Sequence, residues 1–272
     1  MDQQFLEAFI QREGLNDIFR RNVTEYFNAY AHRLAQLAEA SPRPFIVGLN
    51  GAQGSGKSTL SQYLNQMMPI QLGVDCHVLS IDDFYLSKAK RKKLASSVHP
   101  LLAIRGVPGT HDVPRLLEAL AGFMDPGVQS VTLPIFDKLK DERTRKVHKI
   151  QKSAKPTVIL FEGWCVGVPA QHHLALSVPA SSFELSNDNS GVWRSYVNER
   201  LGADYVDVFN LLDRLSMLKP PSFEVVCDWR VDQEIRSVAR RRRDSNDESI
   251  RGMSLREVGD FVENLSLITR NV

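Results

Sequence analysis

Apolar residues fall into short runs that alternate with segments of helical periodicity. The runs that predict buried strands are 45–50 (FIVGLN), 77–81 (HVLSI), 130–136 (SVTLPIF), 157–163 (TVILFEG) and 223–229 (FEVVCDW). Spacings of three and four between apolar residues predict helices in intervening segments such as 58–68 and 113–124. Strands that alternate with helices predict an α/β fold, with a mostly parallel sheet and helices on both faces.

A separate apolar stripe lies near the N-terminus. Its members are Ile18, Val23, Tyr26, Phe27, Tyr30, Leu34 and Leu37. Their spacing predicts one helix, which we expect to pack on the body of the domain; a partner-binding helix is the alternative. Two prolines within 41–44 are predicted to end it. We therefore expect a helical extension over 1–43 and the main domain over 44–272.

Two long polar segments, 83–112 and 136–156, follow predicted strands and are predicted to be loops. In open parallel sheets, ligands bind at the carboxyl ends of the strands. We therefore expect both segments to lie at the functional edge of the sheet. The tail, 230–272, is predicted to be helical and includes an arginine run.

Composition excludes several classes of protein. Hydrophobic residues make up 43% and charged residues 24% of the 272 residues, as in ordinary globular proteins. A net charge of +2 does not indicate a nucleic-acid binder. The acidic N-terminus and the lack of long apolar runs predict a cytoplasmic protein without a membrane span. Zinc is not expected from the histidine spacing, nor a disulfide framework from Cys76, Cys165 and Cys227.

A glycine-rich segment separates the first predicted strand from a predicted helix. Residues 51–58 match the pattern G-x-x-x-x-G-K-[ST]. Glycines let backbone N–H groups approach phosphate oxygens, and the helix N-terminus adds its positive dipole end. Lys57 can reach the β- and γ-phosphates, and the Ser58 hydroxyl can bind Mg²⁺. The predicted nucleotide site consists of Gly51, Ala52, Gln53, Gly54, Ser55, Gly56, Lys57, Ser58 and Thr59.

Carboxylates follow two other predicted strands. Asp82 and Asp83 end one apolar run, and either could hold Mg²⁺ or accept a proton from an attacking hydroxyl. The alternative is a pair that caps a turn or the start of a helix. Glu162 ends the 157–163 run in a Walker-B-like position, where the alternative is an ordinary strand end.

Several motifs together resemble one branch of the P-loop kinases, the D-glycerate 3-kinase-like branch. They are GAQGSGKSTL, SIDDFYLS, HPLLAIRGVPGTHD, LPIFDK, ILFEGWCVG and CDWRVDQE. Wider relatives of this branch include phosphoribulokinase, uridine kinase and pantothenate kinase. The resemblance runs from about residue 45 to the end of the chain and implies the P-loop NTPase fold.

The resemblance also implies roles for individual residues. Asp82 matches the catalytic base for the acceptor hydroxyl, with Asp83 in support, and Glu162 matches the Walker-B-like carboxylate. Ser58, Asp82 and Glu162 are the implied Mg²⁺ ligands. The residues implied for the acceptor pocket are Asp83, Tyr85, Arg105, His111, Asp112, Asp137 and Lys138.

One segment departs from the family pattern. Residues 139–152 (LKDERTRKVHKIQK) contain no glycine, where the family usually has a Gly-Asp-Arg-like segment. A different acceptor is therefore an alternative. Relatives also tend to continue beyond Val272, which suggests a shortened paralogue or a truncated chain.

Arginines in the tail are predicted to form part of a lid over the phosphates, near 236–252. Arg240 and Arg243, in the run 240–243, are the candidate lid residues. A solvated helix face with local acidic partners is one alternative, and a nucleic-acid patch is another.

The predicted function is an ATP- and Mg²⁺-dependent kinase that phosphorylates a hydroxyl of a glycerate-like small molecule. Asp82 would accept the proton, and Lys57 would stabilise the transferred group. A nucleoside, pantothenate or a sugar is an alternative acceptor. The rival classes are a P-loop NTPase switch acting on a protein partner and a kinase fold without turnover. Neither a nucleic acid nor a membrane is expected as a partner, and the oligomeric state stays open.

Overall fold

The computed structural model describes residues 2–245, 247 and 250–264 of the chain. Its strands are β1 (Phe45–Gly51), β2 (Asp75–Ser80), β3 (Ser130–Asp137), β4 (Glu142–Gln151), β5 (Thr157–Gly163) and β6 (Arg214–Leu218). Its α-helices are α1 (Gln3–Glu13), α2 (Asp17–Asn22), α3 (Asn28–Glu39), α4 (Lys57–Gln71), α5 (Lys88–Ser97), α6 (Val113–Met124), α7 (Ser182–Asn187), α8 (Val192–Gly202), α9 (Asp204–Phe209), α10 (Glu224–Ser245) and α11 (Leu255–Asn264).

The central sheet is parallel, with the strand order β2-β5-β1-β6. β5 lies between β1 and β2, so Glu162 is opposite Leu49 on one side and Ser80 on the other. The carboxyl ends of these three strands therefore meet at one edge of the sheet. The segments that follow β1 and β2 begin at this edge, which brings the glycine-rich loop and Asp82 together with Glu162.

Helices cover both faces of the sheet, as predicted. Ile46 belongs to a buried cluster on one face, with residues of α6 and α8. Val47, the next residue, belongs to a cluster on the other face, with residues of α1, α3 and α4. Successive side chains of a strand point to opposite faces, which explains why β1 is apolar almost throughout.

One predicted strand, 223–229, is wrong, because this segment begins helix α10. Phe223, Val226 and Cys227 are spaced as on one face of a helix, and they pack with Val258 and Val262. A short apolar run cannot separate a strand from a buried helix by pattern alone. The strand beside β1 is instead β6, which has only five residues, with Arg214 and Ser216 interrupting its apolar positions, so its sequence shows no continuous apolar run.

The strand predicted over 130–136 forms, but outside the parallel sheet. It is β3, and it pairs antiparallel with β4 in a two-stranded hairpin. Most of β4 is exposed and charged, with Ile150 buried, which explains why its sequence predicts a loop. Likewise, α5 forms within the predicted loop 83–112, with Arg91 buried on an otherwise polar helix.

The N-terminal stripe packs on the body of the domain, although two of its members do not. Val23 and Leu34 are buried in the same cluster as β1 and α4, whereas Ile18 and Tyr26 are 55% and 62% exposed. A π-helical turn, Val23–Phe27, joins α2 to α3. A π-helical turn holds more residues than an α-helical turn, so it changes which side chains share a face of the helix. A pattern based on 3.6 residues per turn therefore predicts the wrong face for some residues of the stripe.

The described helices include none with the length and apolar character that crossing a membrane requires. Cys76 and Cys165 are buried, Cys227 is partly buried, and none of the three forms a disulfide.

Leu34→Ala is expected to lower the free energy of unfolding by about 2–5 kcal/mol, because it leaves a cavity between α3 and the sheet. Ile18→Ala, on the same sequence stripe but exposed, is expected to change it by about 0.5 kcal/mol or less. Urea unfolding followed by circular dichroism measures both. Equal, small effects would mean that the extension over 1–43 is not part of the cooperative unit.

Candidate active site

The glycine-rich loop connects β1 to α4 at the carboxyl edge of the sheet. Gly54 and Gly56 have φ angles of 78° and 88°, in the left-handed region that side chains with a Cβ rarely adopt. Gly56 precedes α4, and Lys57 and Ser58 lie in its first turn. The loop thus directs free N–H groups, a lysine and a hydroxyl to one place, which is the arrangement of a phosphate-binding site.

Ser58 lies next to Glu162, and the distance from Ser58 Oγ to Glu162 Oε1 is 3.5 Å. Glu162 is buried, and its Oε2 atom has no hydrogen-bond partner. Buried polar atoms are nearly always paired, so this oxygen indicates a missing cation or water. Mg²⁺ prefers oxygen ligands and usually takes one or two carboxylates, with phosphate oxygens and water as the others. The two residues therefore fit Mg²⁺.

No group of three or more histidine, cysteine or acidic side chains in the described part of the chain could hold a metal ion. A Mg²⁺ ion at this edge would depend on phosphate oxygens for much of its coordination.

Asp82 lies in the short 3₁₀ turn that follows β2. Its Oδ2 accepts a hydrogen bond from Lys138 Nζ at 2.6 Å, and its Oδ1 accepts one from the Tyr85 hydroxyl at 2.8 Å. Burial alone would raise the pKa of Asp82, but Lys138, Lys57 and Tyr85 together lower it below its usual value. The side chain is therefore a carboxylate at neutral pH.

Asp83 has a different environment. It accepts a hydrogen bond from the backbone N–H of Phe136 at 3.0 Å, which joins the turn after β2 to strand β3. Burial raises the pKa of Asp83, and the Phe136 N–H partly offsets this. Asp82, but not Asp83, lines the cavity beside the glycine-rich loop.

A cavity of about 510 Å³ opens beside the glycine-rich loop. Of the residues predicted from the sequence, it is lined by Gln53, Lys57, Ser58, Asp82, Tyr85, Arg105 and Lys138. Trp164 also lines it and donates a hydrogen bond from its indole N–H to the Gly106 carbonyl at 2.9 Å. The wall is rich in cationic groups, which suits anionic ligands.

Four predicted acceptor residues do not line this cavity, namely Asp83, His111, Asp112 and Asp137. Asp112 is paired with Arg143, at 2.7 Å from Oδ2 to Nη2. Asp137 accepts hydrogen bonds from the backbone N–H groups of residues 139 and 140, and so closes the β3–β4 turn. His111 is buried behind Tyr85, with the two rings stacked at 4.6 Å between centroids. Their positions indicate support of the cavity wall.

Helix α10 lies across the glycine-rich loop. A Cβ on Gly54 would come within 2.5 Å of the Trp229 Cβ atom, so only glycine allows this approach. A smaller cavity of about 230 Å³ lies between the loop and α10, and Arg236 lines it. Arg230, also on α10, lines the cavity of about 510 Å³. Its Nη1 atom lies 2.8 Å from Glu234 Oε2.

The predicted lid arginines lie farther along the same helix. Arg243 is exposed and lines neither of these two cavities. The side chain of Arg240 lies outside the described part of the structure. The arginines on α10 that do reach the cavities, Arg230 and Arg236, belong to or follow the CDWRVDQE motif, which was the available sequence signal.

Two residues that contact the cavity wall from outside carried no sequence signal. Arg91 and Asp141 lie in segments predicted to be loops, yet they form a short ion pair, and Asp141 also pairs with Arg105, which lines the cavity. A single arginine among lysines and a single aspartate in a turn look like solvated residues in the sequence alone.

Comparisons with known proteins agree on the class. No protein-family model matches the chain. The chain is 36% identical over 216 residues to "uncharacterized kinase mug58" of Schizosaccharomyces pombe, over 76% of each protein. It is 35% identical over 134 residues, or 46% of each chain, to "probable ATP-dependent kinase TDA10" of Saccharomyces cerevisiae.

Among solved structures, D-glycerate 3-kinase from Cryptococcus neoformans superposes with a TM-score of 0.74 and 25% sequence identity. The superposition covers 89% of this chain and 85% of that protein.

The sheet order, the glycine-rich loop and the carboxylates beside it define a P-loop kinase. The chain belongs to the family of ATP-dependent small-molecule kinases that includes its S. pombe relative and D-glycerate 3-kinase. The predicted fold and the predicted enzyme class are confirmed. The roles of individual residues, Mg²⁺ and the domain boundary at residue 43 stay predictions.

His111 is expected to make stability depend on pH. Burial lowers the pKa of His111 to about 4, although Asp82 acts in the opposite direction. An unfolded histidine has a pKa of about 6.5, so the unfolded chain takes up the proton first as the pH falls. The free energy of unfolding is therefore expected to fall as the pH decreases from about 6.5 to about 4, by about 3 kcal/mol in total.

Urea unfolding of the protein and of His111→Gln between pH 4 and 7 measures this contribution. Carboxylates titrate in both proteins, so their contributions cancel in the difference between the two free energies of unfolding. The variant is expected to show the flatter pH dependence, and parallel curves would contradict the assignment.

Proposed function

We propose that the protein transfers the γ-phosphate of ATP to a hydroxyl of a small hydroxy acid, with D-glycerate as the leading acceptor. The observation that carries the proposal is the shared cavity, which is lined by Lys57 of the glycine-rich loop, the carboxylate of Asp82 and two cationic groups, Arg105 and Lys138. The fold similarity to D-glycerate 3-kinase supports the same acceptor.

The glycine-rich loop would bind the phosphates through its N–H groups, with Lys57 on the γ-phosphate side. Asp82 is ionised because of its contact with Lys138, so it can accept the proton of the acceptor hydroxyl as the oxygen attacks in line. Tyr85 holds the other oxygen of this carboxylate and thereby fixes its orientation. Positioning and charge stabilisation supply most of the catalysis in such transfers.

Ser58 and Glu162 are the residues proposed to hold Mg²⁺. Asp82, the third ligand implied by the family resemblance, lines the same cavity as Ser58. When bound, the ion would neutralise part of the phosphate charge. On the protein side, the burial of Glu162 favours its binding a cation, since an unpaired buried oxygen is costly.

The charge of the cavity favours an anionic acceptor. Arg105 and Lys138 present a guanidinium and an ammonium group on the same wall, and a guanidinium matches a carboxylate in shape. Nucleosides and neutral sugars lack an anionic group that would pair with these two cations. Pantothenate carries a carboxylate, so it is distinguished from D-glycerate by size.

The acceptor panel tests this proposal. The purified protein with ATP and Mg²⁺ is incubated alone and with D-glycerate, L-glycerate, pantothenate, uridine and neutral sugars, and phosphorylated products are detected by mass spectrometry. Turnover is expected with D-glycerate and is expected to exceed that with any neutral alcohol. Preference for a neutral alcohol would refute the anionic acceptor, and slow hydrolysis unaffected by any acceptor would favour an NTPase switch.

Asp82→Asn is expected to reduce kcat for the preferred acceptor by about 10²–10⁴-fold, because an amide cannot take the proton. The dissociation constant for ATP, measured by calorimetry, is expected to change by less than about threefold, since Lys57 and the loop remain. Near-normal turnover of this variant would remove Asp82 from the role of base. A loss of ATP affinity equal to the loss of turnover would instead assign it to nucleotide binding.

A further inference from the structure

Asp141 lies in the turn between β3 and β4 and pairs with two arginines at once. Its Oδ1 accepts a hydrogen bond from Arg105 Nη1 at 2.6 Å. Its Oδ2 is 2.7 Å from Arg91 Nη2. The two guanidinium groups thus converge on one carboxylate from different segments of the chain, α5 and the loop before α6.

Arg91 holds the turn in place. Its side chain is buried, and it donates hydrogen bonds to the backbone carbonyls of Leu86, Ala103 and Asp141 at 3.2, 3.1 and 3.0 Å. Each of these bonds fixes the guanidinium relative to a different part of the chain. Asp141 is therefore anchored on the side away from the cavity.

Arg105 is the partner on the cavity side. Its guanidinium carbon lies 5.7 Å from the centre of the Phe136 ring, and that of Arg91 lies 6.0 Å from the same ring. A guanidinium has five N–H donors, so the bond to Asp141 leaves others for an anion in the cavity. The contacts on Phe136 and Asp141 limit how far the group can turn.

The charges also favour this arrangement. Burial tends to raise the pKa of Asp141, but its hydrogen bonds to Arg91 and Arg105 lower it overall, so the side chain is ionised. One carboxylate between two guanidinium groups leaves one net positive charge. Asp141 compensates the buried Arg91, while Arg105 keeps its attraction for an anion in the cavity.

The backbone at this position restricts which residue can serve. Asp141 has a φ angle of 53°, the only left-handed value at a non-glycine residue in the described part of the chain. Aspartate and asparagine tolerate this conformation better than other residues with a Cβ. Asp141→Asn thus keeps the shape and the turn while it removes the charge.

We propose that Asp141 is a positioning residue for the acceptor site: it orients Arg105 toward the cavity and so determines the preference for acceptors that carry a carboxylate. This inference rests on the proposed function. It assigns to the 139–152 segment, which departs from the family pattern, a part in acceptor recognition.

A double-mutant cycle tests the kinetic consequence, with D-glycerate as the probe. Asp141→Asn and Arg105→Ala are each expected to raise KM for D-glycerate by about tenfold, with kcat and KM for ATP within about twofold. The double variant is expected to be no worse than Arg105→Ala, because Asp141 acts through Arg105. Additive effects, or an equal loss in kcat and in KM for ATP, would overturn the proposal.

Two further variants guard against a purely structural effect. Asp204→Asn removes an exposed ion pair to Arg200 away from the cavity, and it is expected to leave all the kinetic constants unchanged. If Asp141→Asn folds poorly because Arg91 loses its partner, the pair Arg91→Met with Asp141→Asn removes the buried charge as well. The same rise in KM is expected from that variant, and an unchanged KM would overturn the proposal.

An acceptor-independent measurement separates this inference from the proposed function. The Nε–H signal of Arg105, assigned by its loss in Arg105→Lys, is followed by ¹⁵N relaxation without any acceptor. It is expected to be ordered in the wild type and mobile in Asp141→Asn. If the wild-type protein does not phosphorylate D-glycerate, the proposed function fails. If Arg105 is equally ordered in the wild type and in Asp141→Asn, the positioning role is refuted, whatever the acceptor is.

Discussion

The parallel pairing of β5 with both β1 and β2 is the constraint on which the active site depends. Because all three strands run in the same direction and in a fixed register, the residues at their carboxyl ends converge at one edge. The phosphate-binding loop, Glu162 and the turn with Asp82 are each local features of the sequence. Only the strand order brings them together in one site.

Charge organises the cavity once the sheet has brought these elements together. The carboxylate of Asp82 is kept ionised by Lys138, which comes from the end of the β3–β4 hairpin and not from the sheet. Arg105 comes from a third segment, the loop before α6. The proposed acceptor side of the cavity is therefore built by segments outside the central sheet, while the glycine-rich loop follows a strand of the sheet directly. Such a division lets one fold accept different substrates.

The hairpin is held in its place by buried polar contacts as well as by the apolar residues Val131, Leu133 and Ile150, which belong to the buried cluster. Arg91 is buried and satisfied by three carbonyl groups and one carboxylate, and it lies against Phe136. Asp83 adds a bond to the backbone of the same strand. Buried polar groups are favourable only when all are paired, so these contacts specify one position of the hairpin. They also connect it to the turn that carries Asp82.

The sequence by itself determined the fold class, the phosphate-binding loop, helices α4 and α6, and the buried strands β1 and β5. These features are encoded locally, by apolar runs, helical spacing and glycines that the backbone requires. It did not determine β6, whose apolar residues are interrupted by Arg214 and Ser216, or β4, which is mostly charged and exposed. It misassigned 223–229, because a short apolar run fits a helix equally well. It named Asp82, Arg105 and Lys138, but their meeting in one cavity, and the ion pairs of Asp141, were decided by the tertiary structure. Contacts between segments 36 and 56 residues apart leave no trace in local pattern, since they arise only when the sheet and the hairpin have packed.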